Sequence, residues 1–347
     1  MKIDKFKIGE DGMFIIAELS ANHNGSLETA LDTIKAVKRA GADAIKLQTY
    51  TPDTITVDSD KPDFIVKGGT VWDGKTLYEL YQEAYTPWEW HKSLFQCAKE
   101  EGLICFSSPF DKTAIDFLEE LDTPAYKIAS FEITDIPLIE YAASKGKPMI
   151  ISTGIATLED IELALNACRR MGNNEIALLK CTSSYPAPIE EGNMAMVKDF
   201  EERFDVVPGL SDHTIGSTVP VVATCFGAKI IEKHFILDRS IGGPDASFSM
   251  NEEEFAQMVK AVREAEKAIG KVDYTPTDKQ IKGRAFSRSL YVVKDVKKGE
   301  VVTEENVRSI RPGYGMHPKF LSEILGKVVT TDLSRGTALR KDFLDVK

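Results

Sequence analysis

Eight short apolar segments alternate with helical segments over about the first 270 residues, and this alternation constrains the fold more than any other feature. Residues 14–19 are too few for a typical helix, and apolar residues at helical spacing follow from Leu27 to Val37. A second strand, residues 44–50, comes next. Strand, helix and strand form a βαβ unit whose parallel sheet needs cover on both faces. Eight such strands predict an α/β fold, a (β/α)₈ TIM barrel.

The rest of the chain suggests a second, smaller domain. We predict a barrel domain over residues 1–270, with a loop insertion at 51–86, a linker over 271–285 and a small β-rich domain over 286–347. A doubly wound open sheet is the structural rival, but no G-x-G-x-x-G sequence opens any of the helices.

Composition narrows the class of protein. The net charge of −11 argues against a nucleic-acid partner, which needs a clustered basic surface. No apolar run reaches the roughly 18 residues of a membrane span, and no signal-peptide pattern follows Met1. The five cysteines form no C-x-x-C pair. We therefore expect a cytoplasmic protein with reduced thiols and no membrane partner.

Polar residues end most of the predicted strands. In a barrel of this type the active site lies at the carboxyl ends of the strands. Charged groups inside apolar strands are costly to bury unless they are paired or face a ligand. The strand-end residues are Glu18, Lys46, Gln48, Ser107, Ser108, Lys127, Ser130, Ser152, Thr153, Lys180, Thr182, Asp212, His213, Glu232, Lys233 and His234.

The lysines of this set have two readings. Lys46 and Lys127 occupy alternate, inward-facing positions of their strands, which favours binding of an anion. Lys180 or Lys233 alone is equally well explained by a salt bridge to an acid on a neighbouring strand.

The pair His213 and His234 predicts a metal site. Imidazole nitrogen is a good ligand for Mn, Zn or Fe, and neighbouring carboxylates can orient the two rings. His23 has a simpler alternative, which is to brace the loop between Asn22 and Asn24.

Other residues are better explained by structure. Cys181 is expected to be a small apolar filler, because no positioned base accompanies it. Asp245 lies in a predicted turn but stays a candidate site residue because it follows the strand that carries His234. His91 and His317 are expected at the surface.

Lysines beside a labile divalent metal suit a phosphorylated substrate that condenses onto a carbonyl. The metal would polarise the carbonyl while the lysines hold phosphate and carboxylate groups.

The motifs together resemble those of the sialic acid synthase family, whose members join phosphoenolpyruvate to an N-acetylated aminosugar aldehyde. The resemblance runs the length of the barrel, and the C-terminal segment is similar to that family's antifreeze-like (SAF) domain. The matching segments are residues 17–18, 22–25, 41–48, 126–130, 152–154, 211–214, 232–235, 243–245 and 311–315.

Three segments, residues 20–25, 48–56 and 72–90, are most similar to pseudaminic acid synthases. The resemblance therefore implies condensation with 2,4-diacetamido-2,4,6-trideoxy-altropyranose to give the nine-carbon pseudaminic acid and phosphate by C–O cleavage. N-acetylneuraminate or legionaminate synthesis is the alternative.

The resemblance also implies roles for individual residues. His213 and His234 would hold a divalent ion, Mn²⁺ first and Mg²⁺ or Co²⁺ as alternatives. Glu18 would orient or deprotonate water, or protonate the new alkoxide. The implied catalytic residues are Glu18, Lys46, Lys127 and Asp245. The implied substrate-binding residues are Asn22, His23, Gln48, Ser130, Thr153, Ser183, Ser184, Tyr185, Ser211 and Arg311.

Arg311 would reach the N-acetyl group of the sugar from the partner chain of a domain-swapped homodimer. The rival enzyme is a Schiff-base aldolase with Lys127 as nucleophile. A rival outside enzymes is a module that binds ice or carbohydrate, although the tail lacks a flat, Thr-rich face.

Overall fold

The computed structural model describes residues 1–67 and 72–345. The chain divides into two compact units, Met1–Gly270 and Lys271–Lys347. Residues 68–71 of the predicted insertion and 346–347 of the predicted C-terminal domain lie outside the described residues.

The first unit is a closed barrel of eight parallel strands preceded by a short antiparallel hairpin. The strands of this unit are β1 (Lys2–Ile3), β2 (Phe6–Lys7), β3 (Phe14–Glu18), β4 (Ala44–Thr49), β5 (Ile104–Pro109), β6 (Tyr126–Ile128), β7 (Met149–Ser152), β8 (Ile176–Cys181), β9 (Val207–Asp212) and β10 (Ile230–His234). Because β10 pairs with β3, the sheet has no free edge. This confirms the predicted (β/α)₈ barrel and excludes the open sheet.

Helices follow the barrel strands, and two more lie in the insertion. The helices of this unit are α1 (Leu27–Arg39), α2 (Pro52–Ile55), α3 (Leu77–Ala84), α4 (Trp88–Glu100), α5 (Lys112–Glu120), α6 (Ile136–Ala143), α7 (Leu158–Arg170), α8 (Ala195–Phe204), α9 (Thr218–Cys225) and α10 (Glu252–Ile269). Helix α7 shows why such boundaries can be read from sequence. The Thr157 hydroxyl accepts from Asp160 N–H, and the Asp160 carboxylate accepts from Thr157 N–H at 2.8 Å.

Side chains alternate between the barrel interior and the helices. The interior cluster contains Phe14 and Ile16 of β3, and Ile3 of the hairpin packs into the same cluster. Residues of the other parity, such as Ile15 and Ala17, join the layer between strands and helices. The period of two along each strand therefore decides which polar residues at the carboxyl ends face inward.

The second unit is small and rich in β structure. Its regular elements are α11 (Asp278–Gly283), β11 (Ser289–Val292), β12 (Val307–Ile310) and α12 (Leu321–Ile324). Strands β11 and β12 pair antiparallel, and a separate apolar core includes Leu290 and Val307. Part of the predicted linker is thus helical. Over both units, the described helices include none with the length and apolar character needed to cross a bilayer.

Candidate active site

A cavity of about 240 Å³ lies at the carboxyl ends of the barrel strands. Its described lining residues are Glu18, Ser20, Ala21, Lys46, Gln48, Tyr50, Ile55, Trp72, Leu80, Tyr81, Ala84, Phe110, Lys127, Ala129, Ser130, Phe131, Glu132, Ser152, Cys181, Tyr185, Ser211, His213, Glu232, His234, Pro244 and Asp245. A wider groove of about 740 Å³ shares Trp72 and Pro244 with it.

Four buried ionisable groups, Glu18, Lys46, Lys127 and Glu232, form what we call the ionic cluster. The strand register aligns Glu18 with Lys46, and the two side chains form an ion pair. Glu232 Oε1 accepts from Lys46 Nζ at 3.0 Å and from Lys127 Nζ at 3.1 Å. Ser211 Oγ lies 3.0 Å from the same oxygen and donates to it. The cluster therefore pairs two cations with two anions in the buried part of the cavity lining.

Burial and charge act against each other in this cluster. Burial favours the neutral form of Glu232, but the charges of Lys127 and Lys46 outweigh it and hold the pKa of this carboxyl below its usual value. Burial lowers the pKa of Lys46 although Glu232 acts in the opposite direction. An arriving anion would provide Lys46 and Lys127 with further compensating charge.

Three charged strand residues of the other parity do not line the cavity. Lys233 pairs with Asp212 and also donates to the Thr214 carbonyl, away from the barrel interior. Lys180 Nζ donates to the Cys181 carbonyl. The salt-bridge reading is therefore the one that fits Lys233, whereas Lys46 and Lys127 face inward as the period of two requires.

His213 and His234 lie side by side, with ring centroids 5.3 Å apart. His213 Nδ1 is 3.0 Å from the Thr182 carbonyl, which can only accept, so this nitrogen carries the proton and Nε2 has the lone pair in the neutral ring. Burial lowers the pKa of His234 well below its usual value, and the nearby His213 adds to this effect. The pKa of His213 is instead raised, because burial is outweighed by Cys181 and the Thr182 carbonyl. The neutral ring of the pair is therefore His234, and His213 offers Nε2 once that nitrogen is deprotonated.

The pair fits a divalent metal as a two-ligand site. His234 Nδ1 is buried and makes no hydrogen bond within the described residues, and it lies 3.9 Å from Asp245 Oδ2. Across residues 1–67 and 72–345, no group of three or more His, Cys, Asp and Glu side chains is arranged to hold a metal. A metal bound by His213 and His234 would need its other ligands from substrate and water, as in open catalytic sites.

Two adjacent hydroxyl residues at the end of β7, Ser152 and Thr153, face opposite sides of the strand. Ser152 lines the cavity, and its Oγ has no hydrogen-bond partner within the described residues. The adjacent Thr153 faces the other way and donates from Oγ1 to the Leu179 carbonyl at 3.1 Å. The proposed substrate-binding residue Thr153 therefore does not line the cavity, and Ser152, outside our predicted set of ligands, does.

Ser130 lines the cavity, and its Oγ accepts from Gly154 N–H at 3.1 Å. A Cβ at Gly154 would lie 2.1 Å from Ser183 Oγ and 2.7 Å from Ser130 Oγ, so a larger residue here would force these hydroxyls to move. Ser183 and Ser184 are not among the lining residues, but the neighbouring Tyr185 is.

Asn22 and His23, both predicted to bind substrate, do not line the cavity. Asn22 Nδ2 donates to the Phe235 carbonyl and to Ser249 Oγ, each at 2.8 Å. His23 Nδ1 accepts from Gly25 N–H at 3.1 Å, and Nε2 lies 3.3 Å from Thr86 Oγ1. These contacts fit the bracing alternative for His23.

The prediction that His91 lies at the surface is wrong. Its side chain is fully buried, and Nε2 lies 2.9 Å from Thr49 Oγ1. His317 is exposed as predicted.

Cys181 is buried among the lining residues, with Sγ 3.8 Å from His213 Nδ1. Arg311 is an exposed residue of the second unit.

Glu132 is a site residue that the sequence reading missed. It lies in the 3₁₀ turn Ser130–Glu132 that directly follows β6, and it lines the cavity. Its Oε2 is buried without a hydrogen-bond partner in the described part of the chain. Burial raises the pKa of this carboxyl to about 7, although Lys127 acts in the opposite direction. The sequence signal that could have identified Glu132 is its position two residues after Ser130, just beyond the end of a barrel strand.

Comparison with known proteins finds similarity over almost the whole chain. Residues 33–274 match the NeuB family model, and residues 287–345 match the SAF domain model. A pseudaminic acid synthase of Campylobacter jejuni strain 81-176 is 52% identical over 99% of this chain and 100% of its own length. An N,N'-diacetyllegionaminic acid synthase of Legionella pneumophila is 36% identical over 96% of this chain and 94% of its own length.

The crystal structure of the spore coat polysaccharide biosynthesis protein SpsE of Bacillus subtilis has the same overall fold. It superposes with a TM-score of 0.67 at 33% identity, covering 100% of this chain and 99% of SpsE.

Proposed function

We propose a function from one premise: this chain belongs to the NeuB family. It condenses phosphoenolpyruvate with the open-chain aldehyde of a 2,4-diacetamido-2,4,6-trideoxy hexose and releases phosphate, which makes it a pseudaminic acid synthase and a transferase. The observation that carries this proposal is a single cavity lined by two buried lysines, two histidines and the carboxylates of Glu18 and Glu132.

The lysines of the ionic cluster supply the phosphoenolpyruvate site. Phosphate and carboxylate groups bind well to ammonium groups and hydroxyls in a desolvated site. Lys46, Lys127 and Ser130 all line the cavity, and the Ser152 hydroxyl is available beside them. The phosphate and carboxylate bind to the lysines and serines, which orients the enol carbon C3 toward the aldehyde.

His213 and His234 would hold the divalent ion, with Mn²⁺ the first candidate. When bound, that ion acts as a Lewis acid on the aldehyde oxygen and so makes the carbonyl carbon more electrophilic. Asp245 Oδ2 lies 3.9 Å from His234 Nδ1, too far for a hydrogen bond, and so adds a carboxylate beside the proposed metal site.

The carboxylates of Glu18 and Glu132 have different proposed roles, positioning and proton transfer. Glu18 Oε1 accepts from Ser20 N–H at 3.1 Å, and Glu18 is paired with Lys46, so these contacts hold its carboxylate in place beside the substrate. Glu132 has a raised pKa near 7, which suits a base that takes a proton at neutral pH. Attack of C3 on the aldehyde carbon forms the C–C bond and leaves an alkoxide on the aldehyde oxygen and an oxocarbenium at C2. Water adds at C2 as Glu132 takes one of its protons, and Glu132 then passes that proton to the alkoxide. The C2–O bond to phosphate breaks as the C2 hydroxyl becomes the ketone, and the hydroxyl proton leaves with phosphate.

We further propose a domain-swapped homodimer in which Arg311 of the partner chain binds the N-acetyl group of the sugar. Three apolar side chains of the second unit support a partner surface, because Val272, Tyr274 and Phe286 are 89%, 95% and 72% exposed. Five unpaired cysteines are consistent with work in the reducing cytoplasm.

The test is phosphate release from phosphoenolpyruvate with each of three sugars: the diacetamido trideoxy hexoses of altro and gluco configuration, and N-acetylmannosamine. We expect the fastest release with the altro sugar and loss of activity after chelation, restored by Mn²⁺. No release with any aldehyde sugar would refute the proposal. Borohydride with pyruvate should trap no adduct, and a trapped Lys127 would instead establish the Schiff-base aldolase.

A further inference from the structure

Three aromatic side chains that pack on one another form part of the cavity lining. We call Tyr50, Tyr81 and Phe110 the aromatic wall. Tyr50 directly follows β4, Tyr81 belongs to α3, and Phe110 follows β5. Tyr81 therefore comes from the insertion after β4, not from the end of a barrel strand.

The aromatic wall is preformed. Tyr50 is 3% exposed, and its ring lies edge-on to Tyr81 at 5.6 Å and to Phe110 at 5.0 Å between centroids. Helix α3 begins with a capping box at Thr76, which fixes the turn that precedes Tyr81. Leu80 of the same helix is 8% exposed and lines the cavity. Rings held in this way can bind a ligand without much loss of side-chain freedom.

The two tyrosine hydroxyls are available to a ligand. Neither makes a hydrogen bond within residues 1–67 and 72–345. Burial raises the pKa of both phenols, and the charges of Asp245 on Tyr50 and of Glu132 on Tyr81 act in the same direction. Both hydroxyls therefore keep their protons and can donate to an uncharged acceptor.

The lining favours a small group that is partly apolar and carries a carbonyl. The described lysines of the cavity, Lys46 and Lys127, both belong to the ionic cluster, so the aromatic wall gives no charge compensation to a phosphate or carboxylate. An acetamido group fits this chemistry, because its methyl can pack on rings while its oxygen accepts from a phenol.

We propose that the aromatic wall binds the second acetamido group of the sugar, the one that N-acetylmannosamine lacks. This inference rests on the proposed function and adds the residues that determine specificity. A sugar with a hydroxyl at that position leaves the methyl space unfilled and the phenol donors poorly paired. Buried polar groups left without partners discriminate strongly between substrates.

The experiment measures steady-state kcat/KM for phosphate release with two sugars. One is the diacetamido trideoxy hexose, and the other is its analogue with a hydroxyl in place of the second acetamido group. Tyr81→Ala should lower kcat/KM for the first sugar by about 10- to 100-fold. The value for the analogue should change by less than about threefold. The KM for phosphoenolpyruvate should not change.

Tyr78→Ala is the matched control, because Tyr78 lies on the same helix but does not line the cavity. It should leave the ratio of the two sugars unchanged. Tyr81→Phe keeps the ring and should lose only part of the preference for the diacetamido sugar over its analogue. It keeps the inference testable if the alanine variant misfolds. Equal losses with both sugars, or none, would overturn the inference. If the unaltered protein releases no phosphate with either sugar, the proposed function itself fails.

Discussion

The ionic cluster and the aromatic wall, which we call the charged end and the aromatic end of the lining, differ in origin and in chemistry. The charged end is built by inward-facing residues at the ends of barrel strands, such as Glu18, Lys46 and Glu232. The aromatic end depends on helix α3 of the insertion and on residues just beyond two strands. The comparison suggests that the barrel provides the reaction and the insertion provides the choice of sugar, as loops on a rigid scaffold commonly do.

The strongest test of this division removes a proposed metal ligand. His234→Ala should lower turnover with every sugar by about 10³- to 10⁴-fold, because Lewis-acid catalysis supplies several kcal/mol. Mn²⁺ binding, measured by calorimetry on metal-free protein, should be lost, while the melting temperature stays within a few degrees. His317→Asn is the control, because His317 is exposed and its side chain caps a short turn that asparagine can also cap. Normal metal binding by His234→Ala would contradict the assignment.

The next test contrasts lysines on opposite faces of strands. Lys127→Met should lower kcat/KM for phosphoenolpyruvate by about 10²- to 10³-fold, since it removes a desolvated charge aimed at the substrate. Lys180→Met is the matched control, because Lys180 does not line the cavity, and it should change the value by less than about threefold. The Lys127→Met variant leaves the buried Glu232 carboxylate with one cation fewer, which could destabilise the fold. Circular dichroism therefore checks that this variant is folded. Similar losses in both variants would remove the distinction between the two faces.

Glu132 can be tested by the pH dependence of the rate. The pKa of its carboxyl is raised to about 7, so the ionised fraction grows as the pH rises through that value. If the carboxylate accepts a proton from water, kcat should rise across the same range. Glu132→Gln should lower kcat by about 10²-fold and remove this rise. A profile in which the parent rate falls across that range would assign Glu132 the role of proton donor instead.

Much of the charged end could be predicted from sequence, because a strand's period of two is a local property. It selected Lys46 and Lys127 correctly as inward-facing residues, and the strand-end positions of His213 and His234 also line the cavity. The period of two ends with the strand. Glu132 lies in the 3₁₀ turn after β6, so the alternation of the strand could not predict that this side chain faces the cavity.

The aromatic end was harder to foresee. Helices α2 and α3 are short, and the packing of Tyr81 on Tyr50 joins residues from separate elements. The buried contact between His91 and Thr49 was missed for the same reason. Contacts that depend on tertiary packing leave little trace in a single sequence.

Arg311 tests whether a third region contributes to the sugar site. Arg311→Ala should raise the KM of the sugar by about 10-fold or more, because it removes a charge-assisted hydrogen bond to the acetamido oxygen. The KM of phosphoenolpyruvate should stay nearly constant. Mixing this variant with His234→Ala should restore part of the activity if the arginine acts across a dimer, since one site of the mixed dimer is then intact. Equal effects on both substrates would contradict the proposed role.

The smallest expected effect separates shape from hydrogen bonding at the aromatic end. Tyr50→Phe keeps the ring that packs on Tyr81 and Phe110 and removes only the hydroxyl. A neutral hydrogen bond contributes about 0.5 to 1.5 kcal/mol, so kcat/KM for the diacetamido sugar should fall by roughly 2- to 12-fold. The KM of phosphoenolpyruvate should not move. A comparable loss for phosphoenolpyruvate would mean that the two ends of the cavity are coupled, and the division between reaction and choice of sugar would then fail.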